Sequence, residues 1–337
     1  MAKLTIKEIA KIAGVSPAAV SIVLNDRKGV SDETRSKIKE IVEKLQYAPN
    51  PSSRRLLFNK TNNIAVLFEK SLSPMEHLFH LELNRVILHE CELLGYNLIF
   101  SSVTVDRNNV VLPNVIKSYD VDGIIFYGDI DPLILNNIKK FEIPFIVVDS
   151  HTVNPDILSV SADYATAAYT ATNHLISCGQ RDISYIGTNS MPQYGAQTFS
   201  GFKKAIEEHK IAIPLNWIQL DANDEDSAAG CMENILTYDH LPSAVFCAAD
   251  IYAIGVIKCL RQHGIKIPDE VSIISIDDIV LARYVEPPLT TIRIDKEDMG
   301  RIAFELLIRR IEKSSVENRI VRSDNLIIRS STKKSER

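Results

Sequence analysis

The pattern of apolar and polar positions changes at about residue 60 of the 337-residue chain. Before that point, apolar residues recur three or four positions apart in short segments that Gly, Ser and Asn separate. From Ile64 onward, short continuous apolar runs alternate with longer amphipathic stretches. Spacing of three and four is typical of helices, whereas short continuous runs are typical of buried strands. The chain therefore predicts a small helical unit followed by a larger α/β region.

The first 45 residues predict three helices with clear start and stop signals. A capping box begins at Thr5 and opens the first helix, which Gly14 ends. Ser16 can cap and Pro17 can begin a second helix, and Ser31 can cap a third. Two short helices joined by a tight turn and followed by a supporting helix indicate a helix-turn-helix, whose second helix enters the major groove of DNA.

The segment 47–60 follows these helices and has a different composition. Pro49 and Pro51 interrupt the third helix, and Asn50 can cap a short helix that extends to Leu57. Such a helix is shorter than the ~12–15 residues that hold together alone in water. It therefore needs a second copy of itself or DNA as a partner.

Seven continuous apolar runs beyond residue 60 predict strands, and four amphipathic stretches between them predict helices. The runs are 64–68, 97–102, 123–127, 144–148, 183–187, 244–248 and 271–276, and the stretches are 76–93, 164–178, 197–209 and 250–263. This alternation indicates parallel sheets covered on both faces. Roughly 270 such residues exceed one core, so we expect two similar subdomains. Ligands bind beyond the carboxyl ends of such strands, which would face each other across a cleft.

Charge is unevenly distributed along the chain. The whole chain carries −5, yet residues 1–60 contain twelve Lys or Arg and six Asp or Glu, a net charge of +6. The remaining residues therefore carry −11 (−5 minus +6). A basic N-terminal unit on an acidic body fits contact with a polyanion such as DNA. A basic face that is merely solvated fits the charge equally well.

Composition and motifs disfavour several other classes of protein. No apolar run reaches the ~18–20 residues of a membrane span, and no signal peptide is evident, so a cytoplasmic location without membrane contact is expected. The five cysteines include no CxxC pair, which favours reduced, buried thiols over a disulfide framework, and we expect no metal site and no cofactor. Because GxGxxG, P-loop and GxSxG motifs are absent, the chain is not expected to be an enzyme.

Several motifs are specific enough to indicate a family. They include TIKEIAKIAGVSPAAVSIVLND at 5–26, LQYAPNPSSRRL at 45–56, DGII at 122–125 and PPLTT at 287–291. On these residues the chain resembles the lac repressor/galactose repressor family over nearly its whole length. The resemblance implies a homodimer on a palindromic double-stranded DNA operator, with recognition helices in two major grooves and hinge helices in the central minor groove. It also implies a small-molecule effector in a cleft of the periplasmic-binding-protein type.

Pattern and resemblance together predict the fold class and the domain organisation. The expected fold is an N-terminal all-α helix-turn-helix domain plus an α/β periplasmic-binding-protein-like core of two parallel-sheet subdomains. The parts are a DNA-binding domain at 1–49, a hinge helix and linker at 50–60, an effector-binding and dimerisation core at 61–332, and a disordered tail at 333–337. The N-subdomain covers about 61–160 and 292–320, and the C-subdomain about 161–291 and 321–332.

The N-terminal part of the second helix is expected to read base edges. Pro17, Ala18 and Ile22 stand at these positions, whereas family members often carry Arg at position 22. An Arg side chain binds guanine in bidentate fashion, while Pro, Ala and Ile contact only apolar surface, chiefly the thymine methyl group. We therefore expect A·T pairs opposite Ala18 and Ile22. Packing of these side chains into the core of the unit is the alternative.

Polar residues near the second helix and in the hinge are further candidates for DNA contact. Hydroxyls, amides and helix N-termini hold phosphates without reading sequence, although each could serve only as a helix cap. These candidates are Thr5, Ser16, Ser21, Asn25, Ser31, Thr34, Tyr47 and Asn50. The resemblance implies that Leu56 inserts into the minor groove as a wedge. Arg54 beside it could pair with phosphates, and Ser53 stands at a position where family members commonly carry alanine. A buried dimer or core contact is the alternative for Leu56.

Carboxylates that follow three strands are candidates for effector binding. The resemblance places Asp149, Asp250 and Asp277 in the cleft, where their oxygens could accept hydrogen bonds from sugar hydroxyls. Asp250 could instead only cap a helix, and Phe79 could stack on a ligand ring or simply pack. Family members usually carry Arg at the position of Thr198 and Asn just before position 250. These departures weaken the case for an ordinary free sugar and leave a different ligand or an unused pocket open.

These expectations combine into one function. We expect a sequence-specific DNA-binding transcriptional regulator, in particular a repressor of a carbohydrate or small-metabolite utilisation operon. A small-molecule effector between the two core subdomains would control it, with a sugar or sugar derivative among the candidates. The alternative is a solute-binding protein or sensor without a role at DNA, which the basic N-terminal unit disfavours.

Overall fold

The computed structural model describes residues 4–24, 28–45, 47, 60–69, 77–106, 109–152 and 154–334. The chain divides into two units, Met1–Asn62 with Asp120–Asp122, and Asn63–Tyr119 with Gly123–Arg337. Within the described ranges, no helix is long and apolar enough to span a membrane.

The first unit contains the helices α1 (Ile6–Ala13), α2 (Pro17–Leu24) and α3 (Asp32–Lys44). Thr5 and Glu8 form the predicted capping box, and Gly14 ends α1 at a φ of 71°, a conformation that disfavours residues with a Cβ atom. The hydroxyls of Ser16 and Ser31 each accept a hydrogen bond from the backbone N–H three residues further on. The predicted starts of all three helices are therefore confirmed.

A small apolar core holds these helices together. Its buried members are Ile9, Ala10, Ala13, Val20, Val23, Ile38 and Tyr47. Ile9, Val20 and Ile38 are completely buried, one from each helix. Because Val20 and Val23 commit one face of α2 to this core, the opposite face of that helix is available to a partner.

The first sheet of the second unit has the strand order β12–β6–β5–β4–β1–β2–β3. These strands are β1 (Asn63–Glu69), β2 (Asn97–Asp106), β3 (Asn109–Val111), β4 (Gly123–Tyr127), β5 (Phe145–Val148), β6 (Ser159–Ala162) and β12 (Arg319–Val321). Neighbours are parallel except β2 and β3, which pair antiparallel at one edge. The helices on this side are α4 (Leu78–Leu93), α5 (Asn114–Lys117), α6 (Pro132–Lys139) and α11 (Lys296–Ile311).

The second sheet has the order β13–β11–β10–β9–β7–β8. Its strands are β7 (Ile183–Ile186), β8 (Ile218–Gln219), β9 (Ala244–Cys247), β10 (Ser272–Asp277), β11 (Thr290–Arg293) and β13 (Asn325–Ile327). Only the edge pair of β11 and β13 is antiparallel among these described strands. The helices here are α7 (Tyr164–Ser177), α8 (Pro192–Glu208), α9 (Glu225–Leu236) and α10 (Asp250–Gln262).

Close packing of α7 against α8 depends on a glycine. A Cβ atom added to Gly201 in α8 would lie 2.0 Å from the carbonyl oxygen of Ala165 in α7. Beneath these helices, the rings of Phe202 and Phe246 stack with their centroids 5.9 Å apart. The second subdomain therefore has a tightly packed aromatic core, in which loss or addition of a methyl group changes the stability of the fold.

The predicted fold class is confirmed. Each of the seven apolar runs overlaps a strand and extends at most one residue beyond it, and the strands are β1, β2, β4, β5, β7, β9 and β10. The four amphipathic stretches correspond to α4, α7, α8 and α10. All five cysteines are unpaired and buried, as expected. β11 belongs to the second sheet up to Arg293, and β12 returns to the first sheet at Arg319–Val321. The predicted subdomain boundaries at 291/292 and 320/321 fall inside these two strands and stay predictions.

Candidate DNA-binding face and effector cleft

The exposed face of α2 carries the residues that were expected to read bases. Pro17 and Ala18 are exposed, Ile22 is half-buried, and Val20 and Val23 between them are buried. The Cδ1 atom of Ile22 lies near Gly29, 3.6 Å from where a Cβ atom of that glycine would stand. The face is therefore mainly apolar and partly supported from below, as the helical spacing predicts.

The polar candidates of the first unit divide into caps and a core residue. The exposed hydroxyls of Thr5, Ser16 and Ser31 each accept a backbone N–H bond at a helix start. The Thr5 hydroxyl donates its one hydrogen to Glu8 Oε2 at 2.9 Å, so it has no second hydrogen to offer a phosphate. Thr34 Oγ1 lies 2.9 Å from Ser31 Oγ. The Tyr47 ring is only 8% exposed and packs in the core of the unit.

Ser21 is half-buried on α2. The remaining candidates for DNA contact, Asn25, Asn50, Ser53, Arg54 and Leu56, lie outside the described residues. Their assignments, including the Leu56 wedge, therefore stay predictions.

Two of the candidate effector carboxylates lie at equivalent places in the two sheets. Asp149 follows β5 in the first sheet, and Asp277 ends β10 in the second. Both have positive φ angles, 61° for Asp149 and 122° for Asp277. Non-glycine residues rarely adopt such angles, and backbone strain of this kind concentrates at functional sites. The structure thus marks both strand ends as functional candidates.

Asp149 lies at the centre of a buried polar cluster. The hydroxyl of Tyr164 donates a hydrogen bond to Asp149 Oδ1 at 2.6 Å. His151 Nε2 lies 3.8 Å from the same oxygen, and His80 Nε2 lies 4.0 Å from Asp149 Oδ2. On its other side, His151 Nδ1 lies 3.5 Å from Asp129 Oδ2. The cluster therefore offers several hydrogen-bonding groups of opposite charge within one small volume.

Burial and mutual charge shift the pKa values in this cluster. Burial raises the pKa of Asp149. Burial disfavours protonation of His151, but Asp149 and Asp129 outweigh it and raise the pKa of His151. Burial would raise the pKa of Asp129, yet its hydrogen bond to His151 and the charge of that ring lower it to about 2. Burial, helped by His77, lowers the pKa of His80 well below its usual value. His151 therefore keeps its proton to a higher pH than an ordinary histidine, whereas His80 loses its proton at a lower pH.

Asp250, the first residue of α10, is completely buried and accepts three hydrogen bonds. Ser275 Oγ and Thr291 Oγ1 donate to its Oδ1 at 2.5 and 2.6 Å, and the backbone N–H of Ile279 donates to its Oδ2 at 2.8 Å. All three donors belong to the second sheet or the loop that follows β10. The sequence left open that Asp250 only caps a helix, but Ala249 is the N-cap residue of α10 and the Asp250 carboxylate bonds to no N–H group of that helix. Its hydrogen bonds instead tie α10 to β10, β11 and the loop after β10.

Asp277 meets the first subdomain through its backbone. Lys296 Nζ, from the first turn of α11, donates to the carbonyl oxygen of Asp277 at 2.5 Å and to that of Asp278 at 3.3 Å. Burial, followed by the charge of Asp250, raises the pKa of Asp277 well above its usual value. The Asp277 carboxyl group therefore favours its protonated form, which can donate as well as accept a hydrogen bond.

Phe79 and Thr198 are buried and already have partners. The Phe79 ring is 3% exposed, with Lys296 Nζ 5.2 Å from its centroid. The hydroxyl of Thr198 lies 2.8 Å from that of Tyr185 and 3.1 Å from the carbonyl oxygen of Tyr194. The Thr198 hydroxyl therefore forms its hydrogen bonds with residues of its own subdomain.

Contacts across the cleft hold its two sides together. One of them joins α8 to the loop after β5 of the first sheet, where Gln197 Nε2 donates to the carbonyl oxygen of His151 at 2.8 Å. In another, Glu82 of α4 accepts from the backbone N–H of Val280 at 3.1 Å and pairs with Lys296 Nζ at 3.5 Å. These contacts close the cleft over its own side chains.

A surface cavity of about 300 Å³ lies elsewhere, between α4 and α11. It is lined by Arg85, Val86, His89, Glu90, Asp295, Glu297, Asp298 and Arg301.

Sequence reasoning missed several members of this cleft. His80 directly follows Phe79, and His151 lies two residues beyond Asp149, so the strand-end rule applied to whole loops would have included His151. Tyr164 and Tyr194 come from the first turns of two helices, with ring centroids 4.8 Å apart. Their spacing along the chain carries no signal of this contact.

Together these features define a class of protein. The helix-turn-helix, the exposed face of α2 and a two-sheet core with a carboxylate-containing cleft are those of a DNA-binding regulator with a ligand-responsive core. Residues 5–50 match the family described as bacterial regulatory proteins of the lacI family, and residues 172–332 match the periplasmic binding protein-like domain.

Relatives and solved structures agree with this class. The chain is 32% identical to the HTH-type transcriptional repressor PurR of Histophilus somni strain 129Pt, over 98% of this chain and 99% of that protein. It is also 32% identical to a PurR repressor of Photobacterium profundum, over 98% of both chains. A lac repressor dimer bound to operator and the anti-inducer ONPF has the same fold, with a TM-score of 0.83, 21% identity and coverage of 98% and 99%. A complex of the regulator CelR with cellobiose gives a TM-score of 0.71 at 22% identity, covering 97% and 99%.

The chain belongs to the lacI family of bacterial regulatory proteins. It is a DNA-binding transcriptional repressor with an effector-binding core.

Proposed function

We propose that this repressor acts in the cytoplasm as a homodimer on a palindromic operator, and that α2 reads each half-site mainly through apolar contacts. The observation that carries the reading mode is the exposure of Pro17 and Ala18 beside half-buried Ile22. These side chains offer no hydrogen-bond donor to guanine, whereas methyl and methylene groups suit the thymine methyl group. Sequence preference then falls on A·T pairs opposite Ala18 and Ile22.

Affinity for the operator comes mainly from charge and from the polar groups around α2. Residues 1–60 carry twelve Lys or Arg against six Asp or Glu, so the basic unit can neutralise phosphates and release counterions. The exposed caps Ser16 and Ser31 add hydroxyl donors at helix N-termini, where anions bind favourably. Leu56, in the predicted hinge helix, would widen the minor groove between the half-sites and add selectivity through DNA deformation.

Selection of bound duplexes from a random pool tests this reading mode. The expected result is a palindrome with A·T pairs at the positions that face Ala18 and Ile22, and binding that weakens steeply with salt. A matched variant, Ile22→Arg, should shift the preference at that position toward G·C by about 1–3 kcal/mol, the range for one bidentate contact. Invariant G·C pairs selected by the unmodified protein would contradict the proposal.

For the effector, we propose an uncharged ring-shaped molecule that carries several hydrogen-bond donors, such as a sugar or a nucleobase. Asp149 and Asp277 supply acceptors from both sides of the cleft, and His80 stacks on Tyr127 with centroids 4.8 Å apart. Buried carboxyl groups and aromatic faces suit donors on a ring. A phosphate or carboxylate would gain little from Lys296, because that ammonium group already pairs with Glu82 and donates to two carbonyl oxygens.

The closed cleft sets how such a ligand could control DNA binding. The contacts from Tyr164 to Asp149, from Gln197 to His151 and from Lys296 to Asp277 fix one arrangement of the subdomains. A ligand changes the affinity for operator only through its different affinity for this arrangement and an opened one. An operon for use of a carbohydrate or other small metabolite is the corresponding target.

Thermal unfolding and operator binding with a ligand panel test the effector class. Cellobiose, ribose and hypoxanthine represent uncharged rings, and ribose 5-phosphate is the anionic control. At least one uncharged ligand should raise the unfolding temperature and change operator affinity. Asp277→Gly, which removes the carboxyl group at a backbone angle that glycine adopts readily, should weaken binding of that ligand by about 10–100-fold, as for a lost hydrogen bond to a charged or polar partner. Asp239→Asn, which alters an exposed carboxylate, should not. A response to the phosphate alone would overturn the proposed class.

A further inference from the structure

A group of three metal-ligating side chains lies away from both sites described above. Glu233 is in α9, Cys259 is in α10 and His263 directly follows α10. One ligand atom from each, a carboxylate oxygen, the thiol sulfur and an imidazole nitrogen, lies within 4.8 Å of the other two. Cys259 is completely buried, whereas Glu233 and His263 are exposed. The group therefore has a soft buried donor at its base and two adjustable donors at the surface.

Distances in this group suit tetrahedral coordination. Zinc bonds to nitrogen and oxygen ligands are roughly 2.0–2.2 Å long, so two such ligands on a tetrahedron stand about 3.3–3.6 Å apart. His263 Nε2 lies 3.3 Å from Glu233 Oε2, at the lower end of that range. Cys259 and His263 are four residues apart, which places their side chains on one face of a helix. Small rotations of the two exposed side chains would bring the sulfur into the same coordination sphere.

The hydrogen bond on the far side of the imidazole supports this assignment. His263 Nδ1 lies 3.1 Å from the carbonyl oxygen of Cys259. A carbonyl oxygen can only accept, so Nδ1 carries the hydrogen, and in the neutral ring Nε2 then has a lone pair. That lone pair faces the carboxylate of Glu233, and two acceptors at 3.3 Å repel unless a proton or a cation lies between them. Metal-binding histidines commonly have such a carbonyl partner at their second nitrogen.

We propose that Glu233, Cys259 and His263 form a binding site for a zinc-type divalent cation, with the fourth position open to solvent. A thiolate with an imidazole favours Zn²⁺ over Mg²⁺ or Ca²⁺, which prefer oxygen ligands alone. Bound metal would connect α9 to α10 across their packed surface. Because the thiolate rather than the thiol binds metal, each bound ion displaces the thiol proton of Cys259 to solvent.

The chain contains a natural control for this site. His174 and Cys178 in and after α7 are also four residues apart, with Nε2 and Sγ 3.7 Å from each other. His174 Nε2 lies 3.1 Å from the hydroxyl of Thr332. Among the residues that the structure describes, only the Glu233 group brings three ligand types together. A His–Cys pair alone should bind divalent metal much more weakly than a set that includes the carboxylate.

Cobalt titration of the metal-stripped full-length protein tests the proposal, because tetrahedral Co²⁺ bound to a thiolate has a strong charge-transfer absorption. The expected result is saturation at one Co²⁺ per chain, displaced by Zn²⁺. Cys259→Ser should abolish the charge-transfer band, and His263→Gln and Glu233→Gln should weaken binding at least about tenfold. Cys178→Ser and His174→Gln should leave the titration unchanged. Fluorescence of Trp217, a buried residue of the same subdomain, checks that each variant is folded.

Thermal unfolding gives a second measurement that does not depend on the spectrum. Zn²⁺ should raise the unfolding temperature of the unmodified protein and of His174→Gln, but not that of His263→Gln. Absence of the charge-transfer band in the unmodified protein would overturn the proposal and leave an ion pair between Glu233 and protonated His263. A band that survives in Cys259→Ser, or that disappears in Cys178→Ser, would also overturn it.

Discussion

Asp250 gives the sharpest test of how this core is built, because its carboxyl group is buried yet titrates in an accessible range. Burial raises its pKa from 3.8 to about 6, against the opposing effect of the hydrogen bonds from Ser275 and Thr291. A carboxyl group whose pKa is higher in the folded state binds more protons there than in the unfolded chain. Its contribution to stability is therefore greatest at low pH and falls as the pH rises through about 6.

The expected size follows from the shift. A rise of about two pKa units corresponds to about 3 kcal/mol, at 1.36 kcal/mol per unit. About 2 kcal/mol of that is lost between roughly pH 4.5 and pH 8, because the unfolded group is already mostly ionised at the lower pH. Asp250→Asn removes this titration, and the hydroxyls of Ser275 and Thr291 can rotate to accept from the new amide. The free energy of unfolding of the variant, relative to the unmodified protein, should therefore increase by about 2 kcal/mol over this range.

Urea unfolding followed by the fluorescence of Trp217 measures this difference, since the single tryptophan of the chain is buried in the same subdomain. Comparison of the two proteins isolates Asp250 together with its coupling to Asp277. Asp239→Asn, which alters an exposed carboxylate, is the control and should run parallel to the unmodified protein. If the curves of Asp250→Asn and the unmodified protein stay parallel from pH 4.5 to 8, Asp250 does not titrate as its burial requires, and the reasoning fails.

Two further predictions concern helix packing and the hinge. Gly201→Ala should destabilise the core by about 1–3 kcal/mol or more, because its Cβ atom would lie 2.0 Å from a backbone oxygen. The added Cβ atom of Gly230→Ala in α9 meets no atom within 4 Å, so this variant should instead stabilise the protein by up to about 1 kcal/mol in the same urea assay. Equal destabilisation by the two variants would contradict the packing argument. Leu56→Ala should weaken binding to the selected operator much more than binding to unrelated DNA, as competition titrations at fixed salt can measure. Equal losses would argue against a minor-groove wedge.

Local chemistry was sufficient to predict the helix-turn-helix. Thr5, Ser16 and Ser31 cap their helices because a hydroxyl next to free N–H groups needs only a neighbour three residues away. The seven buried strands could be predicted equally well, because a strand that is buried on both faces has no polar position to interrupt its apolar run. Short or exposed edge strands, such as β3 and β12, carry no such signal and were not predicted.

The candidate effector site was only partly predictable. The strand-end rule selected Asp149, Asp250 and Asp277 alike, because each follows an apolar run. The structure distinguishes their roles. The carboxylate oxygens of Asp250 accept hydrogen bonds from Ser275, Thr291 and Ile279, whereas Asp149 and Asp277 have positive φ angles at the cleft. Which donors surround a carboxylate depends on strands that are far apart in sequence.

By itself, the sequence determined the family, the order of domains, the caps and the apolar face of α2, all of which depend on residues close together along the chain. Only the tertiary structure decided which side chains share a volume. It grouped His80 and His151 around Asp149 and placed Glu233 beside Cys259 and His263. The physical reason is that burial, pKa shifts and metal-ligand geometry are properties of contacts between distant segments, which folding creates and local patterns do not encode.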